Sequence, residues 1–475
     1  MTPRDLTALT PFIILTAAPV VIMIVVAIRM SHGAVFALAL GAVGLALLTI
    51  PAAASSPFTA GAPLLVIDGY TFFFMAIILL AGLATLLLSY GYLRIRRGRR
   101  EEFYILLLTA LLGASILVGS AHLAPFFLGL EILSVSLYAL VAYERENEAG
   151  IEAGIKYLVL AAFSSAFLVF GMALVYAETG TLSFPSVAAK MAGGSTGPVL
   201  LAGIILISVG IGFKLAVVPF HMWVADVYEG APAPVTAFIA TVSKGAVFAL
   251  LMRFFLPAGM LRGSALGFFL AAIAVASMLA GNLLALFQDN VKRLLAYSSI
   301  AHMGYLLVAF LAGGPLRVTA VVFYLIAYFI SSLGAFGVVT VLSGPRRDAD
   351  RLDDYRGLFF RRPWLAGTFT AMLLSLAGIP LTAGFIGKFT ILAAGVGDFL
   401  WILVGTFVVT SAIGLFYYLR VLVVLYSPLP TAAGVAAPPM PAGVLALAIL
   451  TALLLGLGIY PGPLLEAISA LGPVG

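Results

Sequence analysis

Polar residues are so sparse along this chain that the apolar stretches between them, each about twenty residues long, predict membrane crossings. They fall at residues 11–28, 33–50, 70–93, 103–119, 122–142, 152–177, 198–229, 232–255, 264–286, 292–312, 316–342, 363–395, 399–427 and 439–460, fourteen in all. The seventh and twelfth are longer than a crossing needs and are broken at Pro219 and Pro380. Proline there removes a backbone donor and clashes with the preceding turn. The pattern predicts an all-α polytopic membrane protein of about fourteen transmembrane helices. Grouped as helices 4–8 and 9–13, each unit carries its break in its fourth helix. Units with an odd number of helices insert in opposite senses, so matched breaks point to two inverted five-helix repeats around a transport path. The expected parts are residues 1–102 (three helices), 103–257 (first repeat), 258–428 (second, inverted repeat) and 429–475 (helix 14).

Composition agrees: 63% of residues are hydrophobic and 9% charged, too little polar surface for a water-soluble fold of 475 residues,. The net charge of +6 comes from arginines in short loops rather than from a nucleic-acid-binding patch. Zero cysteines remove disulfides, thiolate iron–sulfur ligation and a cysteine nucleophile,. Arg4 precedes an apolar run that reaches Arg29 without a small-residue cleavage site, so no cleavable signal is expected,. Of the 25 Lys and Arg, sixteen fall on one set of alternate loops and helix ends and five on the other. The positive-inside rule then puts both termini outside.

The four basic residues left over are lysines inside crossings: Lys156, Lys214, Lys244 and Lys388. A charge at bilayer depth costs from about 2.5 kcal/mol upward, so each is a candidate site. Glu131, in "FFLGLEILSVSLY", lies near the middle of the fifth crossing. Lys214, in "GIGFKLAVVPFHMW", lies beside the break, where loosened carbonyls and water solvate an ammonium. Lys244, in "ATVSKGAVF", is about twelve residues or ~18 Å into the eighth. Neither snorkels easily to the interface. Lys156 is only a few residues into the sixth and either snorkels to the inner surface or joins the path. Lys388, eight residues after Pro380, lies towards the outer end of the twelfth. "GFIGKF" is not a phosphate loop, which needs glycine at Thr382 and Ser or Thr at Phe389.

His221 and His302 lie close to a break or a lysine and are candidates for relaying protons; the alternative for each is a packed, hydrogen-bonded histidine. His32 and His122 stand at span ends and offer no axial pair for haem. Asp226 and Glu229, before "GAPAP", read as loop and cap residues. A carboxylate about 5 Å from Lys214 at an effective dielectric near 20 is worth roughly 3 kcal/mol. Moving one charge against ~150 mV takes ~3.5 kcal/mol. A Glu131–Lys214 pair that forms and breaks is thus matched in scale to a pump, handing protons from Lys214 to Lys244 without a cofactor.

"GFKLAVVPFHMWVADVYEGAPAPVTAFIATVSK", "QDNVKRLLAYSSIAHMGY" and "SLAGIPLTAGFIGKF" resemble the antiporter-like membrane subunits of respiratory complex I, the proton-pumping NADH:quinone oxidoreductase. The resemblance covers essentially the whole chain. It implies half-channels in two inverted repeats joined by a hydrated polar axis. Glu131 would be the fifth-helix glutamate, Lys156 the sixth-helix lysine, Lys214 the seventh-helix lysine, Lys244 the central eighth-helix residue and Lys388 the twelfth-helix outlet residue. Within the family the chain is most similar to the N type, the counterpart of mitochondrial subunit 2. M-type relatives tend to have glutamate where Lys388 stands, and L-type relatives continue into a long lateral helix. Animal mitochondrial versions lack the first three helices, present in this chain, which points to a bacterial inner membrane, with a plastid or plant-type organelle as the other source.

The implied function is proton translocation driven by NADH oxidation and quinone reduction on other subunits. NADH, FMN, iron–sulfur clusters and quinone would be held there, with no cofactor on this chain. Its partners would be the bilayer, the M-type, L-type and small membrane subunits and, through them, the peripheral redox arm. The rival reading is a subunit of a related cation/proton antiporter, which shares the lysines but has no electron donor. A non-transporting scaffold leaves five intramembrane charges without a purpose.

Overall fold

The computed structural model describes residues 3–28, 31–56, 64–96, 98–192, 197–257, 261, 264–428 and 441–471. Arg29, Arg97 and Arg262, which enter the charge count above, lie outside them, as does most of the segment leading into helix 14. Every predicted crossing is helical. Among the described residues, thirteen helices are long and apolar enough to span a bilayer, and two shorter ones, Pro363–Ala377 and Ala383–Gly397, make up the interrupted twelfth. Short polar side chains set several helix starts: Asp68, Asn147, Ser264 and Asn290 each accept a first-turn backbone N–H of the third, sixth, ninth and tenth spans,.

The two breaks are built alike. The first half of span seven, Pro198–Leu215, is capped by Ala216 in the left-handed region (φ 59°), and Pro363–Ala377 is capped by Gly378 (φ 87°). Pro219 and Pro380 follow within three residues, and helix resumes at Val224–Gly230 and at Ala383–Gly397. Where the second break closes up, a Cβ on Gly384 would sit 1.9 Å from the Ser375 carbonyl oxygen, so glycine is what lets the half-helices approach,.

Spans eight (Ala233–Phe255), ten (Val291–Leu311) and eleven (Arg317–Leu342) form the centre of the bundle, with 100, 94 and 83% of their apolar windows buried. The first two spans, at 28 and 22%, lie at its edge. Span eight is also irregular: a π turn, Ile239–Ser243, ends immediately before Lys244. Such turns widen the backbone locally and are frequent at functional positions.

Candidate functional site

Three of the mid-span lysines point into the bundle, and each is held by neutral groups. Lys214, 3% exposed, donates to Ser134 Oγ and to Tyr157 Oη, both at 2.8 Å. Its ammonium stands 5.0 Å from the centre of the Tyr157 ring. Lys244, fully buried, donates to Ser299 Oγ at 2.5 Å, and Ser299 is joined to Tyr328 Oη at 2.6 Å. Lys388, 8% exposed, donates to Ser411 Oγ and to the Ala377 carbonyl, both at 2.8 Å. The second contact satisfies a carbonyl that the break at Pro380 leaves open.

Lys388 is deeper than its place in the sequence suggests. Its ammonium reaches back across the break to the end of Pro363–Ala377, a half-helix ~21 Å long from first residue to last by helical rise,. Ser134 lies ~16 Å into its span (Leu123–Val141) and Ser299 ~12 Å into its own,. Against a hydrocarbon layer about 30 Å thick, each of the three ammonium groups therefore lies well inside its span rather than at an end.

His302 lies between Lys244 and Lys388 on span ten and is 2% exposed. Its Nδ1 pairs with Tyr324 Oη at 2.6 Å and its Nε2 with Tyr418 Oη at 3.1 Å. Tyr418 in turn makes a very short contact with Ser298. Beside Lys388, whose ammonium is 5.3 Å from the centre of the Tyr305 ring, the Tyr305 hydroxyl accepts from Asn282 at 2.9 Å. The space between the lysines is thus lined by hydroxyls, the Asn282 amide and one imidazole. The hydroxyls and the imidazole can accept one hydrogen bond while donating another, as a proton relay requires.

Glu131 is half-buried and accepts a hydrogen bond from Ser165 at 2.6 Å. It makes no ion pair with Lys214 within 4 Å in this conformation. A cavity of ≈ 10 Å³, lined by Ser134, Ser164, Ser165 and Lys214 among others, lies between the Ser165 and Lys214 positions. That is about the room of one water-sized sphere.

Lys156 and His221 stand apart from this row. The Lys156 side chain is 44% exposed and pairs with Glu152 at 2.7 Å and Asp226 at 2.9 Å. Asp226 also receives Arg293 at 2.8 Å, and Arg293 reaches Glu229 at 2.7 Å. Asp226 and Glu229 are therefore ion-pair partners tying the half-helix after the first break to the start of span ten. His221 is half-buried within the break, and its Nδ1 has no hydrogen-bond partner. Pro219, which precedes it, follows a cis peptide bond.

Sequence reasoning misses two parts of this arrangement. One is the set of tyrosines and serines around the lysines. Their only signal is one-face spacing, such as Ser299 and His302 on span ten or Tyr324 and Tyr328 on span eleven. The other is a charged cluster at one rim of the bundle, where the ends of spans three, five, ten and eleven meet. Lys292, 1% exposed, donates to Asp348 at 2.8 Å and to the Ala231 carbonyl at 2.6 Å. Arg96 bridges Asp348 and Glu144, each at 2.6 Å, and Tyr92 Oη donates to the same two carboxylates. Burial pushes the Asp348 carboxyl up, but Lys292 and Arg96 outweigh it and hold the group below the usual 3.8.

Comparison with known proteins bears on this geometry. The family model described as NADH:quinone oxidoreductase/Mrp antiporter, TM, matches residues 120–414. The chain is 51% identical over 471 residues to NADH-quinone oxidoreductase subunit N of Methylococcus capsulatus, covering 98% of this chain and 95% of that protein. It superposes on a chain of respiratory complex I from Thermus thermophilus with a TM-score of 0.83 and 34% identity, covering 96% of this chain and 99% of the other. A chain of the Mrp complex from a Dietzia species also gives a TM-score of 0.83, covering 99% and 97% of the two chains, at 21% identity. That last likeness concerns the fold alone.

Proposed function

The chain belongs to the membrane-subunit family shared by NADH:quinone oxidoreductase and the Mrp antiporters, in its NADH-quinone oxidoreductase subunit N branch, and from that premise we propose that Glu131, Lys214, Lys244 and Lys388 are the stations of its proton path. The protein is the proton-translocating membrane subunit of the oxidoreductase. The observation that carries the assignment is a contrast between two kinds of buried lysine. At the inner rim, Lys292 is compensated by the Asp348 carboxylate, as a permanently charged buried group must be,. In mid-membrane, Lys214, Lys244 and Lys388 are held by hydroxyls and a carbonyl. Each can lose its proton without leaving a carboxylate unpaired, and each can take one up without moving.

The path runs from Glu131 and Lys214 to Lys244, past His302, to Lys388. A carboxylate that approaches Lys214 stabilises its ammonium, and one that withdraws releases the proton towards Lys244. Lys156 belongs at the inner rim of the path, where its two carboxylates hold it, and His221 sits in the hinge of the first break. The repeats are residues 103–257 and 258–428, a reading supported by their matching breaks. The larger assembly supplies NADH, FMN, iron–sulfur clusters and quinone; this chain, without a cysteine, has no thiolate for a cluster. Its neighbours are M-type, L-type and small membrane subunits in a bacterial inner membrane, with both termini outside.

The test is a double-mutant cycle in membranes with matched amounts of assembled enzyme. Glu131→Gln and Lys214→Ala each lower proton pumping and NADH-driven quinone reduction, and the double mutant is little worse than the worse single mutant. Wild-type pumping in Lys214→Ala removes this lysine from the path. Copurification with flavin- and iron–sulfur-bearing subunits separates this function from that of an antiporter subunit.

A further inference from the structure

Between the Lys214 group and the Lys244 group stands a tyrosine whose hydroxyl makes no close hydrogen bond. Tyr228 is on the short helix Val224–Gly230 that follows the first break, and its side chain is fully buried. Among the buried side-chain oxygens of the described residues, its Oη is one of only two that make no hydrogen bond. The other, on Glu102, is at the inner rim, far from the lysines. The Lys244 ammonium stands 5.8 Å from the centre of the Tyr228 ring. Ser299 lies within weak hydrogen-bonding reach of the Tyr228 hydroxyl, and Tyr157 and Tyr328 are its other polar neighbours. Ser299 is the residue that receives Lys244, and Tyr157 is one of the two that receive Lys214.

The setting of this tyrosine also ties it to the break. Tyr157 stacks on Trp223, with ring centres 4.7 Å apart and planes 16° from parallel. Trp223 donates its indole N–H to the Phe213 carbonyl at 3.0 Å, satisfying an acceptor at the end of the first half-helix. The helix that begins after Trp223 carries Tyr228. Two aromatic residues of one short segment are thus fixed against the partners of two successive lysines.

A buried hydroxyl with no well-formed hydrogen bond loses its hydration without full compensation. Phenylalanine would fill the same space without that loss, so packing gives no reason for the oxygen. We propose that the Tyr228 hydroxyl is the proton-passing group between Lys214 and Lys244, an inference that rests on the lysine path proposed above. The Lys214 ammonium gives a proton to Tyr157 Oη, whose own O–H proton moves to Tyr228 Oη. The Tyr228 O–H proton moves on to the neutral Lys244 amine. Both tyrosines end as they began, Lys214 has lost one proton and Lys244 has gained one.

Tyr228→Phe tests this cleanly, because it removes only the oxygen. A packing role predicts that the variant assembles and works at least as well as wild type. The relay predicts normal assembly and thermal stability with pumping and coupled NADH oxidation reduced at least about tenfold, the scale of a lost proton-transfer group. Tyr228→His, which restores a group able to pass protons, recovers part of the loss; a histidine variant no better than Phe counts against the relay. Wild-type pumping in Tyr228→Phe overturns the proposal. Lys244→Met, run in parallel, keeps the two levels apart. If it abolishes pumping while Tyr228→Phe does not, the lysine path stands and the tyrosine step falls. If Lys244→Met pumps normally, the path itself falls and the tyrosine step with it.

Discussion

Removing Asp348 should cost more stability than any single change among the exposed ion pairs of this protein. Its two oxygens serve three donors: Oδ2 receives Lys292, and Oδ1 receives Arg96 and Tyr92. After Asp348→Ala, Arg96 and Tyr92 still have Glu144. Lys292 keeps only the Ala231 carbonyl, at 1% exposure. An uncompensated buried ammonium costs about 3–5 kcal/mol, whereas replacing both members of a buried pair by apolar groups is close to neutral. Asp348→Asn, which keeps an acceptor oxygen but no charge, should fall between. Adding Lys292→Met to Asp348→Asn should therefore recover stability rather than lose more. The assay is the temperature at which half of the detergent-solubilised enzyme loses NADH:quinone activity, with the yield of assembled enzyme as a second reading. A double variant no more stable than Asp348→Asn, or an Asp348→Ala variant as stable as wild type, would falsify this account of the rim cluster.

Three further outcomes are expected. Burial pushes the Glu144 carboxyl above its usual 4.5 against the pull of Arg96, so the folded state binds this proton more tightly than the unfolded chain. Stability then falls as pH rises from 4.5 through the raised value, and Glu144→Gln should flatten that slope in thermal melts; an unchanged slope refutes the assignment. Lys388→Glu keeps a proton-carrying group at the proposed outlet and should retain part of the pumping per NADH, whereas Lys388→Met should lose more; equal pumping in Lys388→Met and wild type puts the exit elsewhere. A single cysteine at Ser55 should react with an impermeant thiol reagent from outside intact cells, and one at Arg346 only after the membrane is opened; the reverse pattern overturns the orientation.

The spans and their breaks were legible because lipid makes two demands that sequence displays directly: long apolar runs, and an explanation for each proline within one. Lys214, Lys244 and Lys388 were legible for a related reason, since a charge in hydrocarbon is too expensive to keep without use. Counting residues along a span gives depth but not facing, and there the sequence reading reaches its limit. Lys156 lies within the sixth span by count, yet its side chain is 44% exposed among carboxylates. Lys292 reads as an inner-loop cation and is 1% exposed beneath the central helices. Ser343 falls just beyond the eleventh predicted crossing and so reads as a loop residue, yet its hydroxyl is buried against Val339 and Ala349. Tyr157, Tyr228 and Ser299 carry no signal of their own, because an apolar helix tolerates tyrosine and serine anywhere. Their meaning comes from which helices pack against which.

The rim cluster also bears on how the chain is made. Arg96 meets Glu144 after 48 residues of further synthesis, but Asp348 lies 252 residues beyond it. At about 5–20 residues per second, Asp348 emerges roughly 13–50 seconds after Arg96. Through that interval Arg96, joined for its last 56 residues by Lys292, is a helix-end cation of the kind that orients spans during insertion,. Once the loop after span eleven arrives, the same charges are neutralised and sealed beneath it. A chain that stalls before that loop keeps an uncompensated lysine at the base of its central helices and is marked by it as unfinished.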